Sequence, residues 1–136
     1  RREMLKTYTD AALMLGKKNI VIYSSDDGFD EISTSEITKA SIIEDGKVDY
    51  FFVDPHEFFE PFPLPVVESK EDAVKLFLEG IKGENEEIVK IFALNTAVAL
   101  FIKDKKDMKE HYKEAYENIK SGNAFKKIEQ LRGENE

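Results

Sequence analysis

The stretch that decides the fold is residues 37–53, ITKASIIEDGKVDYFFV. Two runs rich in β-branched and aromatic residues, 37–43 and 48–53, flank the dipeptide Asp45-Gly46. Asp-Gly is typical of a two-residue type I′ turn, because glycine accepts the positive φ that this turn requires. The sequence therefore predicts an antiparallel β-hairpin.

A helix and a strand are predicted ahead of the hairpin. Apolar residues recur at helical spacing from residue 4 to residue 15, and Gly16 follows where a left-handed C-cap is common. Residues 20–23, Ile-Val-Ile-Tyr, are apolar at successive positions, as in a strand that is covered on both faces of a sheet. Helix, short link and buried strand is the order typical of an α/β domain.

The chain after the hairpin is predicted to be extended and then helical. Three prolines between residues 61 and 65 disfavour both helix and central strand. Ser69 with Asp72 resembles a capping box, residues 88–102 are apolar nearly all round, as in a buried helix, and two further helices are expected. The predicted fold class is α/β, with several packed C-terminal helices after the hairpin.

Composition excludes several classes of protein. With 20 basic and 28 acidic residues the formal charge is −8, which argues against binding to nucleic acid or to an anionic membrane. The absence of cysteine excludes disulfides and thiolate chemistry and favours a reducing, cytoplasmic setting. No apolar window approaches the about 20 residues that span a bilayer, and no signal peptide is expected. Because the first residue is Arg1, an upstream segment is expected.

The one stretch that suggests chemistry is acidic: Asp26-Asp27-Gly28-Phe29-Asp30-Glu31-Ile32-Ser33. Open α/β sheets bind ligands beyond the ends of buried strands, where this loop is predicted to lie. The adjacent carboxylates of Asp30 and Glu31 suit Mg²⁺, which keeps several waters and is completed by substrate phosphates. Nucleotide-binding loops, catalytic triads and zinc motifs do not occur in the sequence. From the residues alone, a magnesium half-site and an ordinary solvated turn both remain open.

Other polar and aromatic residues favour structural roles. We expect Asn95 to hydrogen-bond within the core, His56 to lie in a turn and His111 to be exposed on a charged helix. The phenylalanines between residues 51 and 62 are expected to be partly core and partly an exposed apolar patch.

Four motifs, in order, resemble the C-terminal part of anthranilate phosphoribosyltransferase. The first is a Leu-Gly helix end and strand followed by the loop of residues 27–33; the others are Asp54-Pro55-His56-Glu57-Phe58, the helix around Leu94-Asn95-Thr96-Ala97, and Ser121-Gly122-Asn123-Ala124. The similarity runs from the first helix to about residue 131.

The resemblance implies a phosphoribosyltransferase of tryptophan biosynthesis, which transfers phosphoribose from phosphoribosyl pyrophosphate to anthranilate. It implies that Asp30 and Glu31 bind Mg²⁺, and through it the pyrophosphate, with no residue of this chain acting as a catalytic acid or base. Residues 1–132 would be the C-terminal part of the α/β domain, and residues 133–136 a frayed tail.

Some family features differ or are absent. Ser24-Ser25 stand where the family usually has His-Gly. The family's phosphate loop, its anthranilate-binding residues and its N-terminal helical domain, which forms a homodimer interface, have no counterpart in these 136 residues. The resemblance therefore implies that this chain is inactive alone and needs the missing N-terminal part. Two alternatives remain open: part of a nucleoside phosphorylase-like enzyme, or a non-catalytic nucleic-acid-binding relative of the same fold.

Overall fold

The computed structural model describes residues 2–133 of the chain, with side chains from Met4 onwards. The chain divides into two compact units, Arg1–Leu64 and Pro65–Glu136. The described elements are α1 (Arg2–Met14), β1 (Ile20–Ser25), β2 (Thr38–Glu44), β3 (Lys47–Val53), a 3₁₀ turn (Pro55–Glu57), α2 (Lys70–Ile81), α3 (Glu86–Asp104), α4 (Met108–Lys120) and α5 (Asn123–Gly133). This mixed architecture confirms the predicted fold class. Of the expected frayed tail, residues 134–136 lie outside the described residues.

The predicted hairpin forms the second half of a three-stranded antiparallel sheet with the order β1-β2-β3. Its turn has positive φ at both central residues, 48° at Asp45 and 78° at Gly46, and Glu44 pairs with Lys47 across it. Two positive φ values define the type I′ class, whose twist matches that of the flanking strands. The hairpin prediction is confirmed.

Helix α1 ends as the sequence predicts. Gly16 adopts a φ of 65°, its N–H donates to the Leu13 carbonyl at 2.9 Å, and the Lys17 N–H donates to the Ala12 carbonyl at 2.9 Å. These two bonds are the Schellman pattern, which satisfies carbonyls that the helix end leaves free. The chain thereby turns out of α1 toward β1, and α1 packs on β1 and β2.

Strand β1 is less buried than predicted, and β2 takes the central position instead. Tyr23 is 39% exposed and only Ser25 of β1 is buried, whereas β2 is buried at five of its seven positions. Within the described residues β1 lies at an edge of the sheet, because it pairs with β2 alone. An apolar run shows that a strand is favoured, but its place in the sheet depends on which strands pair with it.

In the second unit, α3 supplies most of the core. Val89 and Ala93 of α3 are fully buried and pack against Ala115 and Ile119 of α4. This confirms the predicted buried helix, although α3 extends beyond residues 88–102 at both ends. Asn95 donates from its Nδ2 to the Ile91 carbonyl at 3.0 Å, so its expected structural role is also confirmed.

The exposed position predicted for His111 is wrong. The residue is only 7% exposed, and its Nε2 lies 2.8 Å from Oδ1 of Asp104 at the end of α3. His111, Ala115 and Ile119 recur every four residues and form the buried face of α4. That spacing places them on one side of a helix, so the sequence held the signal.

The turn position expected for His56 is confirmed. His56 is exposed in the 3₁₀ turn, where its N–H donates to Oδ1 of Asp54 at 3.0 Å. The phenylalanines expected to be partly core are not fully buried. Phe52 is 65% exposed, and the others between residues 51 and 62 are partly buried, with the rings of Phe59 and Phe62 in contact at a centroid distance of 5.4 Å. Among residues 2–133, no helix is both long and apolar enough to cross a membrane.

Candidate metal-binding loop

The acidic loop connects β1 to β2, and its base is closed by hydrogen bonds and an ion pair. Ser25 and Thr38 form the last register pair of the two strands, and the next N–H, from Asp26, donates to the Ile37 carbonyl at 3.1 Å. The Asp26 carboxylate forms an ion pair with Lys39, whose Nζ donates to Oδ1 at 3.3 Å and to Oδ2 at 3.4 Å. One of the four acidic side chains is therefore already neutralised by a lysine.

Asp27 accepts hydrogen bonds from three nearby donors. Its Oδ1 accepts hydrogen bonds from the Ser25 hydroxyl and, at 2.9 Å, from the Phe29 N–H, while Oδ2 accepts from the Ser33 hydroxyl at 2.6 Å. Partial burial acts to raise the pKa of Asp27, but the hydrogen bonds from Ser25, Ser33 and Phe29 outweigh it and lower that pKa overall. Asp27 therefore carries its charge at neutral pH.

Ser33 fixes the far side of the loop. Its hydroxyl oxygen accepts from the N–H groups of Ser35 and Glu36, each at 3.0 Å, and its own N–H donates to Thr38 Oγ1 at 3.0 Å. The Thr34 hydroxyl donates a hydrogen bond to the Phe62 carbonyl at 2.8 Å. Residues 32–34 are all buried, so the chain returns from the loop into the body of the first unit.

Asp30 and Glu31 lie between these anchors, in residues 28–31, which form the crest of the loop. Both are exposed, and neither side chain has a hydrogen bond or an ion pair with another described residue. Carboxylate oxygens are the ligands that Mg²⁺ prefers. Among residues 2–133, however, no group of three potential metal ligands is assembled. The pair fits a magnesium ion whose other ligands are waters and phosphate oxygens, since Mg²⁺ is commonly held by one or two carboxylates.

The sequence located the loop, but two parts of the reasoning change. The described strands contain only antiparallel pairs, so the analogy with ligand sites at the ends of parallel strands gains no support from them. Asp27 was also missed as the residue that organises the loop. The signal was its position before Gly28, with serines at residues 25 and 33 within reach of a carboxylate that accepts local hydrogen bonds.

Comparison with known proteins agrees with this fold and loop. Residues 1–125 match the family model described as the glycosyl transferase family, a/b domain. The anthranilate phosphoribosyltransferase of Pyrobaculum islandicum is 30% identical over 129 residues, which are 93% of this chain and 39% of that protein. The chain thus spans about two-fifths of the length of the curated relatives it matches.

Solved structures give the same result. The anthranilate phosphoribosyltransferase of Saccharomyces cerevisiae in complex with 4-fluoroanthranilate superposes with a TM-score of 0.79 and 28% identity, over 95% of this chain and 39% of that one. The same yeast enzyme in complex with PRPP and Mg superposes with a TM-score of 0.78 and 27% identity, with the same shares covered. From the matched family model and the shared fold, we conclude that the chain belongs to the glycosyl transferase family, a/b domain.

Proposed function

We propose that this chain supplies the magnesium-binding side of an anthranilate phosphoribosyltransferase active site, in which phosphoribose passes from phosphoribosyl pyrophosphate to anthranilate. The observation that carries the proposal is the exposed pair Asp30-Glu31 at the crest of an anchored loop, for which the described residues offer no partner. The yeast relative in complex with PRPP and Mg supports the choice of ligand.

Two carboxylates suit this reaction because of where charge develops. Breaking the bond between ribose C1 and the pyrophosphate leaves negative charge on the departing diphosphate. A bound magnesium ion would stabilise that charge as a Lewis acid. Asp30 and Glu31 would hold the ion and orient the diphosphate, and neither would exchange a proton with the substrate. Asp26 would not compete for the ion, since Lys39 already neutralises it.

The proposal requires partners beyond these residues. Groups that hold the phosphates and anthranilate would come from the remaining three-fifths of a protein of the relatives' length. We expect no turnover from the 136 residues alone. The homodimer of the whole enzyme, its role in tryptophan biosynthesis and its cytoplasmic location stay predictions.

The test is the loss of anthranilate fluorescence when phosphoribosyl pyrophosphate and Mg²⁺ are added to the full-length protein that contains this chain. The double variant Asp30→Asn, Glu31→Gln should lose at least about 100-fold in kcat/KM at limiting Mg²⁺, the size of effect seen when one transition-state charge stabiliser is removed. Added Mg²⁺ should restore part of the loss.

The matched control is Glu114→Gln with Glu129→Gln. These residues are exposed on α4 and α5. Their replacement removes two negative charges, as the loop variant does, but from helix surfaces. The control should retain wild-type kinetics and magnesium dependence. If the loop variant behaves like the control, Asp30 and Glu31 do not bind the metal.

A further inference from the structure

Asp27 and Ser33 form a bridge across the base of the crest that carries Asp30 and Glu31. The Ser33 hydroxyl donates to Asp27 Oδ2 at 2.6 Å, which joins the two sides of the loop over six residues. Asp27 also binds the Ser25 hydroxyl, where β1 ends, and Ser33 binds Thr38, where β2 begins. The crest is therefore tied through one side-chain contact to the end of β1 and to the start of β2.

We propose that Asp27 is a positioning residue, whose carboxylate holds the loop so that Asp30 and Glu31 bind a hard divalent cation carrying a diphosphate ligand. This inference rests on the proposed function and assigns a role to a third carboxylate that does not itself touch the cation. Residues that orient metal ligands without touching the metal matter for binding, and their loss typically lowers metal affinity by about 10–100-fold.

The bridge needs a carboxylate at residue 27 in particular. The Ser33 oxygen already accepts two backbone N–H groups, from Ser35 and Glu36, so its single proton must be donated elsewhere. The three groups that contact Asp27, namely two hydroxyls and the Phe29 N–H, all act as donors to it. An asparagine amide nitrogen is a donor only. In either orientation of the side-chain amide, its NH2 group would face at least one of these three donors and could not accept its hydrogen bond.

The geometry of the crest depends on this bridge because the crest has few other contacts. Gly28 has a φ of 82° with no described atom within 4 Å of a Cβ placed there, and Asp30 and Glu31 have no described partner. Between Asp27 and the buried Ile32, the chain is held chiefly by the Asp27 carboxylate and by the Gly28 N–H, which donates to the Ser25 carbonyl at 3.2 Å. A ligand pair with the correct geometry before binding pays a smaller ordering cost.

The experiment compares Asp27→Asn with Glu36→Gln in the full-length protein. Glu36 lies in the same loop and is exposed, and its contact with Ser33 uses the backbone N–H, which the substitution keeps. Both variants remove one negative charge. Two quantities are measured: the Mg²⁺ concentration for half-maximal binding of phosphoribosyl pyrophosphate, by calorimetry, and hydrogen exchange at the amides of Phe29, Ser35 and Glu36.

We expect Asp27→Asn to raise the required Mg²⁺ concentration about 10–100-fold, to speed exchange at the three amides and to leave the KM for anthranilate unchanged. Glu36→Gln should match the wild type. Ser33→Ala should resemble Asp27→Asn. The double variant should raise the required Mg²⁺ concentration by less than the product of the two single fold-changes, because both substitutions remove the same bridge.

Two results separate failure of this inference from failure of the proposed function. If Asp27→Asn loosens the loop amides but keeps wild-type magnesium dependence, while Asp30→Asn with Glu31→Gln loses it, Asp27 is structural only and the inference is overturned. If the Asp30 and Glu31 double variant also keeps wild-type magnesium dependence, the loop is not the metal site and both proposals fail. If Asp27→Asn and Glu36→Gln have equal effects on magnesium dependence, Asp27 acts only through its negative charge and the inference is overturned.

Discussion

The hydroxyl oxygens of Thr9 and Ser41 lie 2.6 Å apart, both fully buried, where α1 packs on β2. Thr9 also donates to the Leu5 carbonyl at 2.7 Å, one turn earlier in α1. A hydroxyl has one proton to donate, so Ser41 must be the donor to Thr9. The contact is therefore directional, and its two partners are not equivalent.

This direction predicts unequal costs for two substitutions. Thr9→Val leaves the buried Ser41 donor without its acceptor and should lower the free energy of unfolding by about 1–3 kcal/mol. Ser41→Ala leaves Thr9 bonded to Leu5 and should cost about 0.5–1.5 kcal/mol. Urea unfolding followed by circular dichroism measures both. A larger loss for Ser41→Ala would reverse the assigned direction.

Gly80 allows α2 to approach α3. A Cβ at this position would clash with Ile88 Cγ2 and lie 2.9 Å from both Ile88 Cβ and Phe92 Cε2. Alanine normally favours a helix over glycine by about 1 kcal/mol, but overpacking costs about 1–3 kcal/mol. We expect Gly80→Ala to lower the thermal unfolding midpoint.

Gly133→Ala is the control for this prediction, because no described atom lies within 4 Å of a Cβ placed there. It should leave the midpoint unchanged or raise it slightly. A Gly80→Ala protein as stable as this control would show that α2 and α3 do not approach as closely as described.

Acid should weaken the link between α3 and α4. Hydrogen bonds from the Lys106 N–H and from His111 lower the pKa of Asp104 from its ordinary value of 3.8 to about 2. Because the folded-state pKa is depressed, the stabilisation is fully present above pH 3.8 and is lost as the pH falls through that value toward 2.

Asp104→Asn should remove this pH dependence. Between pH 5 and pH 2, the urea midpoint of the wild type should fall further than that of the variant. Parallel curves for the two proteins would mean that Asp104 gains nothing from its contacts in the folded state.

The N-terminus of α2 depends on one serine. The Ser69 hydroxyl accepts from the Asp72 N–H at 3.1 Å and donates to Asp72 Oδ2 at 2.6 Å. Ser69→Ala should cost about 1 kcal/mol of unfolding free energy, the usual value of an N-cap. Ser69→Thr keeps the hydroxyl and should lose little. Equal losses for the two variants would mean that the cap does not stabilise α2.

Features whose cause is local were predicted from the sequence. The Asp45-Gly46 turn, the Gly16 helix end and the Ser69 cap each depend on φ preferences or hydrogen bonds within a few residues, so neighbouring residue types suffice to specify them. The exposed pair Asp30-Glu31 was found in the same way, from two adjacent carboxylates in a loop.

Two features that require distant parts of the chain were not predicted. The edge position of β1 follows from its pairing with β2 alone among the described strands. The bridge from Asp27 to Ser33 depends on a loop path that brings both back to the strand ends.

The sequence by itself determined the turns, the helix ends and the identity of the carboxylates, because these follow from residue types a few positions apart. Only the tertiary structure decided which carboxylates of the loop have a partner among the described residues. Lys39 pairs with Asp26 and two serines bind Asp27, because the pairing of β1 with β2 brings these groups together. Asp30 and Glu31 are left exposed at the crest. A charged group becomes available for a ligand when folding supplies it with no partner of its own, and that depends on the positions of residues far apart in the sequence.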